Sequence, residues 1–406
     1  MRKYWKFIAI IAVIILSIGT FYVKTATSAE QYPEFVIQTV SGDEDEIKPL
    51  VLEGSYTDTS SNNYVSNNLK INVEGSTYNS RSFLDQIIGQ PPIEIKELQE
   101  EYRTFMRGKG SQVNSFFEDE KFLAYADVDY KMNSVSSRDF KFTISVLNKE
   151  SGDDNSFTVK IPDEEKLDYV FVEDVQMVKD ELYLITQNTM RKNDNYYEEK
   201  QIYTIDIVNQ KISTYELIIQ NPNGQGDTYF NTQLIRSSPT KANEFMVIVN
   251  TEVKIIEDEE SSREEVINQE FLSYNIVTKE IKKMDLTDLR LDDNQLSYLD
   301  GSTVYFMTFE GQELVVTPYS LVEHHAGQDY RISLSGENGF AYAYTTTVKN
   351  GKLYVASSQM TSKIPGDVVV ADVKTGEPLF KGQLALEDSS KEKGNFELYL
   401  YEMLVK

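Results

Sequence analysis

Six short apolar segments recur along this chain, and their spacing constrains the fold more than any other feature. They are Leu123–Asp127, Leu182–Thr186, Phe245–Val249, Val304–Thr308, Leu353–Ser357 and Leu398–Glu402, with starts separated by 59, 63, 59, 49 and 45 residues. Each is rich in β-branched and aromatic residues, which suit a pleated, packed surface. Their near-continuous apolarity predicts burial on both faces, as for an inner strand of a blade-like sheet.

Turn chemistry precedes three of the copies: Asn350-Gly351 before Leu353, Asp300-Gly301 before Val304, and Lys179-Asp180 before Leu182. Asn-Gly and Asp-Gly favour the positive-φ turns whose twist matches a hairpin, so each copy reads as the second strand of one. A more variable strand pair follows. Ile202 to Ile212, Phe271 to Ile281 and Val368 to Glu377 share an outline of strand, Asp or Asn, apolar residue, polar turn, with Thr143–Leu147 before Gly152 as a weaker fourth.

Repeats of this length, each with about four strands, predict an all-β chain folded as a β-propeller of about six four-stranded blades. The segments Gly351-Lys-Leu-Tyr-Val-Ala-Ser357 and Asp372-Val-Lys-Thr-Gly-Glu377 resemble the YVTN-type and PQQ-like propeller repeats. As architecture the resemblance covers residues 118–406; as a motif it covers residues 350–380. It implies a fold and almost nothing about activity. Trp5 is the one tryptophan, so Trp-Asp repeat signatures are absent, and no Kelch-type glycine pairs recur. A tandem of β-sandwiches is the alternative architecture.

The last repeat is cut short, and an unclosed ring would leave an edge strand open to aggregation. Phe35–Thr39, Ile47–Glu53 and Leu69–Val73 are strand-like. They predict that residues 31–75, within an N-terminal region 25–80, complete the blade begun by Leu398. Residues 81–110 read as a helical insertion ahead of the repeats at 111–406. Within it Ile95, Leu98, Tyr102 and Phe105 follow the period of an amphipathic helix, with Pro91 and Pro92 in its first turn and Gly108 and Gly110 at its stop.

Residues 1–24 form a different kind of segment. Phe7 to Val23 are 17 uncharged residues, ~25 Å of helix and close to one hydrocarbon core. Arg2, Lys3 and Lys6 precede the run, and Tyr4, Trp5 and Tyr22 flank it. These features predict a transmembrane signal anchor through residues 7–23, with the N-terminus cytoplasmic and the bulk outside the cytoplasm. The alternative is a secreted protein released by cleavage near Ala29, where Thr27-Ser28-Ala29 supplies small residues.

Composition narrows the function. The formal charge is −25 overall, and −29 beyond Lys24, which argues against a nucleic-acid partner because phosphate binding rests on Lys and Arg. The absence of cysteine rules out disulfides, thiol catalysis, cysteine-held metals and a lipidated N-terminal cysteine. No phosphate-cradling loop, nucleophile elbow or HExxH motif occurs. His324 and His325 are adjacent, so on a strand they point to opposite faces; Glu323, His325 and Asp329 would make only a weak site. The nearest approach to a calcium loop is Asn221-Pro-Asn-Gly-Gln-Gly-Asp227, with Asn221, Asn223 and Asp227 as ligands, but it lacks full alternation and a distal glutamate. Residues 256–265 read as a charged hairpin tip. Asp127, Thr186, Thr308, Glu310 and Glu402 sit at or just past the ends of the recurring strands, where a propeller enzyme would place acids.

No cofactor is expected apart from possible Ca²⁺. The leading expectation is a non-enzymatic binding, sensor or accessory module for a protein or cell-envelope component. An envelope hydrolase or lyase using channel carboxylates is the rival, and a divalent-cation-stabilised structural protein the third reading.

Overall fold

In a computed structural model, residues 32–60, 66–78, 91–132, 137–192, 195–223, 227–238, 242–257, 262–287, 289, 296–335, 344–387 and 395–406 are described, with residues 10, 11, 13, 15, 16, 19 and 20 of the N-terminal segment. The chain is predominantly β. Its six sheets divide between two units: residues 1–90, 309–314 and 332–406 form one, and residues 91–308 and 315–331 the other.

The second unit holds three sheets and most of a fourth. Sheet I runs Phe116–Glu118, Phe122–Met132, Ser137–Asn148, Asp154–Lys160, and sheet II runs Leu167–Val178, Glu181–Lys192, Asn195–Asp206, Lys211–Asn223. Sheet III runs Thr228–Leu234, Phe245–Glu257, Ser262–Asn275, Ile281–Lys283. Sheet IV is built on Leu296–Asp300, Thr303–Glu310, Glu313–Ser320 and His325–Ala326. Each of the five recurring segments up to Leu353 lies on the second strand of a hairpin and has a neighbouring strand on both sides. The turns are the positive-φ ones their sequences favour: Lys179 and Asp180 at 52° and 64°, Gly301 at 62°, Asn350 and Gly351 at 53° and 75°.

Alternation along these strands explains how the sheets pack. On Glu181–Lys192, Leu182 and Leu184 join Ala124, Phe142 and Ile144 of sheet I in one core, while Tyr183 and Ile185 join Met246 and Ile248 of sheet III in another. Val247 and Phe271 on the other face of sheet III pack with Val304 and Phe306 of sheet IV. Burying a Leu, Ile or Phe in this way contributes about 1.5–3 kcal/mol per side chain. A chain of hydrogen bonds runs from sheet II, through the loop that leads into sheet III, to the first turn of sheet IV. Gln176 Nε2 donates to Asp174 Oδ2 (2.9 Å), the Asn243 N–H donates to Gln176 Oε1 (3.1 Å), and the Gly301 N–H donates to Asn243 Oδ1 (3.2 Å).

The first unit holds two sheets, and both contain strands from the two ends of the chain. Sheet V runs Tyr344–Lys349, Lys352–Ser357, Gly366–Asp372, Pro378–Leu386 and then Phe35–Gly42. Sheet VI runs Gln359–Thr361, Phe396–Val405, then Leu50–Asp58, Ser66–Asn72 and Gly75–Tyr78. Leu398 and Leu400 pack with Leu52, Val368, Val370 and Phe380 in a core shared by the two sheets. Gly54 is indispensable to this arrangement, because a Cβ there would lie 2.4 Å from the Tyr399 carbonyl oxygen.

One turn recurs between the third and fourth strands of five sheets. Asn148, Asp206, Asn275, Ser320 and Asp372 each accept, through the side chain, a backbone N–H two or three residues on. Four residues after each, the chain enters the left-handed region, at Gly152, Gln210, Lys279, His324 and Gly376. The short polar side chain mimics a backbone turn, and the left-handed residue brings the chain back into register. His324 is therefore the left-handed residue of a turn.

The helix is shorter than its sequence pattern predicts. It spans Ile93–Glu101 and buries Ile93, Ile95 and Leu98, and the backbone leaves helical geometry at Tyr102 (φ −115°, ψ 47°). Phe105 and Met106 are buried from the irregular turns that follow, so their helical spacing reflects a shared core and not a continuous helix. Residues 81–90, and most of the apolar run 7–23, lie outside the described residues. Of that run, Ile10, Ile11, Val13, Ile15 and Leu16 are helical and exposed. Among the described residues no helix is long and apolar enough to cross a membrane.

Three outcomes concern stability. Lys279→Gly should raise stability by about 0.5–1 kcal/mol, since glycine has no Cβ to strain at positive φ and the Lys279–Glu216 ion pair it removes is solvent-exposed. Gly54→Ala should lower stability by several-fold more; paired thermal melts measure both. Burial pushes the Asp174 carboxyl up to about 7 against the opposing bonds from Gln176 and the Val175 N–H, with Glu173 adding to the rise. A carboxyl whose folded value lies above its ordinary 3.8 holds its proton more tightly in the native state. Its contribution is full below pH 3.8 and is lost as pH rises toward 7. Denaturant melts of Asp174→Asn should show a flatter stability profile across that window than the parent.

Candidate functional site

The face of sheet I turned away from sheet II is apolar at one end and polar at the other. At the apolar end Leu123 and Tyr125 meet Phe116, Ile95, Leu98, Phe105 and Met106, so the helical segment covers it. Further along the same strand, Asp127 and Asp129 follow Tyr125 at alternate positions and therefore share its face. Thr143 and Ser145 stand opposite Asp127 and Tyr125 on the next strand, and Ser156 stands opposite Ser145 on the one after. Together with Arg107, Gly108 and Lys109 these residues line a pocket of about 410 Å³. That volume falls within the ~300–1,000 Å³ typical of small-ligand sites.

The turns after the helix deliver the cations. Gly108 adopts a φ of +79°, which reverses the chain and brings Arg107 and Lys109 to the rim. The Gly110 N–H then donates to the Tyr125 hydroxyl (3.1 Å), and that hydroxyl donates to Asp127 Oδ2 (3.0 Å). Asp127 Oδ1 accepts the Val128 N–H at 2.7 Å. Burial pushes the Tyr125 phenol up to about 12. On the far wall the Ser156 hydroxyl donates to Ser145 Oγ at 2.9 Å.

Lys109 has an unusual setting for a lysine in so acidic a chain. Its ammonium lies 3.9 Å from the Phe105 ring centroid and 5.5 Å from that of Tyr125, and it donates to the Phe105 carbonyl. Burial holds its pKa below the ordinary lysine value, with Asp154 acting in the opposite sense. Asp154 is the carboxylate whose charge acts on Lys109, but among the described residues neither Lys109 nor Arg107 is within ion-pair distance of a carboxylate. The pocket thus combines two cations, two carboxylates and several hydroxyls in one lining.

Of the strand-end residues singled out in the sequence, Asp127 lines this pocket and Thr186, Thr308, Glu310 and Glu402 do not. Thr186 is buried on sheet II, Thr308 and Glu310 lie on the Thr303–Glu310 strand, and Glu402 pairs with Glu53 in sheet VI. Arg107, Lys109, Thr143, Ser145 and Ser156 were not anticipated. The available signal was Tyr125-Ala-Asp-Val-Asp129, which sets two acids on one face behind an aromatic residue.

The candidate calcium ligands are dispersed in role. Asn221 is buried, and its amide donates to Thr232 Oγ1 (2.9 Å) and Asn250 Oδ1 (2.7 Å), which joins sheet II to sheet III. Asn223 ends the same strand, and its side chain lies outside the described residues. Asp227 is exposed, and its carbonyl accepts the Ile255 N–H. His325 and Glu323 do share a side, at 3.6 Å, and both are exposed. Among the described residues no three His, Asp or Glu side chains are grouped as metal ligands.

No family model and no curated protein matches this chain. Several solved structures resemble it remotely. The polysaccharide lyase Uly1 is 10% identical with a TM-score of 0.37, over 67% of this chain and 57% of the lyase, so the chain spans little more than half the lyase's length. A Synechocystis apocarotenoid oxygenase variant is 8% identical with a TM-score of 0.39, over 87% and 96% of the two chains. The neighbours include a propeller, that of Dos1, 9% identical with a TM-score of 0.28, over 70% and 91%. Likenesses at this level carry nothing about substrate or chemistry.

Proposed function

We propose that this chain is a membrane-tethered, extracytoplasmic β-propeller of about six blades that binds a cell-envelope component in the pocket on sheet I. The observation that carries the binding role is the pocket itself, a polar cavity on a sheet face that brings Arg107 and Lys109 together with Asp127, Asp129 and the hydroxyls of Thr143, Ser145 and Ser156. Rigid sheets hold binding groups in place at little entropic cost. The propeller reading is supported by the turn shared by five sheets, the serial face-to-face packing of sheets I to IV, and the use of both chain ends in sheets V and VI. The tether is supported by the uncharged run 7–23 behind three cations and by the exposure of Ile10, Ile11, Val13, Ile15 and Leu16. Scattered apolar exposure is common, but five exposed aliphatic residues between Ile10 and Leu16 call for an apolar environment.

A second reading, cleavage of a glycan, is favoured by one observation. Asp127 and Asp129 lie two residues apart on one strand face, about 6.6 Å along the backbone, a spacing compatible with paired-carboxylate glycoside chemistry. Binding is preferred because each Asp127 oxygen already accepts one bond, from the Tyr125 hydroxyl and the Val128 N–H. These bonds leave lone pairs for a ligand hydroxyl but would have to be broken for the carboxylate to turn and attack a sugar carbon.

Full-length protein should sediment with membranes after carbonate washing and be digested by protease added from outside, and deleting residues 1–24 should release it to the soluble fraction. Retention of the truncated form, or protection of the intact one, would refute the tether. The released body should scatter X-rays with a radius of gyration near ~21 Å, the value for one compact body of its length. A much larger radius would exclude a closed ring.

A further inference from the structure

We infer that the sheet I pocket selects an anionic, hydroxyl-rich sugar, with Arg107 and Lys109 receiving its carboxylate or phosphate and Asp127, Asp129 and Ser145 receiving its hydroxyls. This assignment rests on the binding role proposed above and adds the chemistry of the ligand. The lining supplies the reason. Val128 is the one aliphatic side chain among the lining residues, so an apolar ligand would strand the polar walls without partners. A ligand carrying only negative charge would meet the two aspartates. A ligand carrying only hydroxyls would give the two lining cations, Arg107 and Lys109, no anionic partner from the ligand.

A sugar acid or sugar phosphate satisfies both ends. Its hydroxyls donate to the carboxylates, which are acceptors only, and exchange hydrogen bonds with Ser145, Ser156 and Thr143. Its anionic group meets a guanidinium able to bind it through two parallel bonds. The Lys109 ammonium, held over the Phe105 and Tyr125 rings, is already drawn out of bulk water. An anion brought there acts through a low local dielectric, where charge pairing is strong. The residue whose ring forms one wall, Tyr125, is also the residue that orients Asp127, so the aromatic and acidic surfaces are set by a single contact.

The test uses the full-length chain in detergent micelles and isothermal titration calorimetry. Tri-galacturonate is compared with its methyl ester, and glucose 6-phosphate with glucose; the two pairs separate a carboxylate from a phosphate source. At least one charged probe should bind tenfold or more tightly than its uncharged partner. Arg107→Ala and Lys109→Met should each abolish that preference, while Lys166→Ala, a distant exposed cation, leaves it unchanged. Since Lys109 contributes to packing, the exposed Arg107 provides the variant that tests charge without risk to folding.

A photo-crosslinker at Thr143, exposed to cell-envelope extract with and without Ser145→Trp, separates the possible failures. Equal binding of charged and uncharged probes, blocked by Ser145→Trp, would overturn the anion assignment and leave the pocket as a binding site. No sugar binding, together with a Ser145-dependent crosslink, would overturn the sugar class alone. No sugar binding and no such crosslink would overturn both.

Discussion

A four-stranded sheet whose strands are apolar on both faces cannot stand alone in water; it has to be held between two others. Glu181–Lys192 states this constraint most plainly, with Leu182 and Leu184 in the core shared with sheet I and Tyr183 and Ile185 in the core shared with sheet III. Each sheet added in this way covers one face and presents another, so the packing propagates along the chain. Sheet I departs from the rule on the face turned away from sheet II, where part of the surface is polar. The helical segment covers the apolar part, through Ile95, Leu98, Phe105 and Met106. What it leaves is the pocket. The candidate site is thus the place where the packing rule that builds the second unit is only half satisfied.

Much of this architecture was legible because it depends on local chemistry. Asn350-Gly351 and Lys179-Asp180 adopt the left-handed geometry their sequences favour, and the recurring apolar segments fall on six different sheets. The shared polar turn was visible as strand, Asp or Asn, apolar residue, turn. Its left-handed fifth position was not, because Gln210, Lys279 and His324 carry no glycine signal. His324 illustrates the hazard of reading chemistry from residue type. Its placement is explained by the Ser320 turn, and the neighbouring histidine follows it onto an exposed strand.

The site was legible only in part, for a geometric reason. Asp127 stood out as an acid at a strand end, and its partners across the sheet, Thr143 and Ser145, are ordinary residues whose importance comes from register. Arg107 and Lys109 lie in a segment whose periodicity suggested a longer helix. Had the helix continued, the two cations would have pointed in directions set by its own pitch. The break at Tyr102 and the reversal at Gly108 place them beside Tyr125 instead. Asn221 shows the opposite case: a residue type suited to metal ligation that is occupied in tying two sheets together.

The strand Leu50–Asp58 pairs on one side with Ser66–Asn72, close by in sequence, and on the other with Phe396–Val405 at the far end of the chain. During synthesis the early strand is complete long before its late partner exists. Throughout that interval it offers an open line of backbone donors and acceptors to any neighbouring chain, the state in which β-rich proteins aggregate. Contacts so distant in sequence are also slow to form, because the intervening polypeptide has to be brought together first. Until Phe396–Val405 has been made, that side of Leu50–Asp58 stays unpaired, so the pairing that joins these two distant segments is also the one that closes an exposed strand edge.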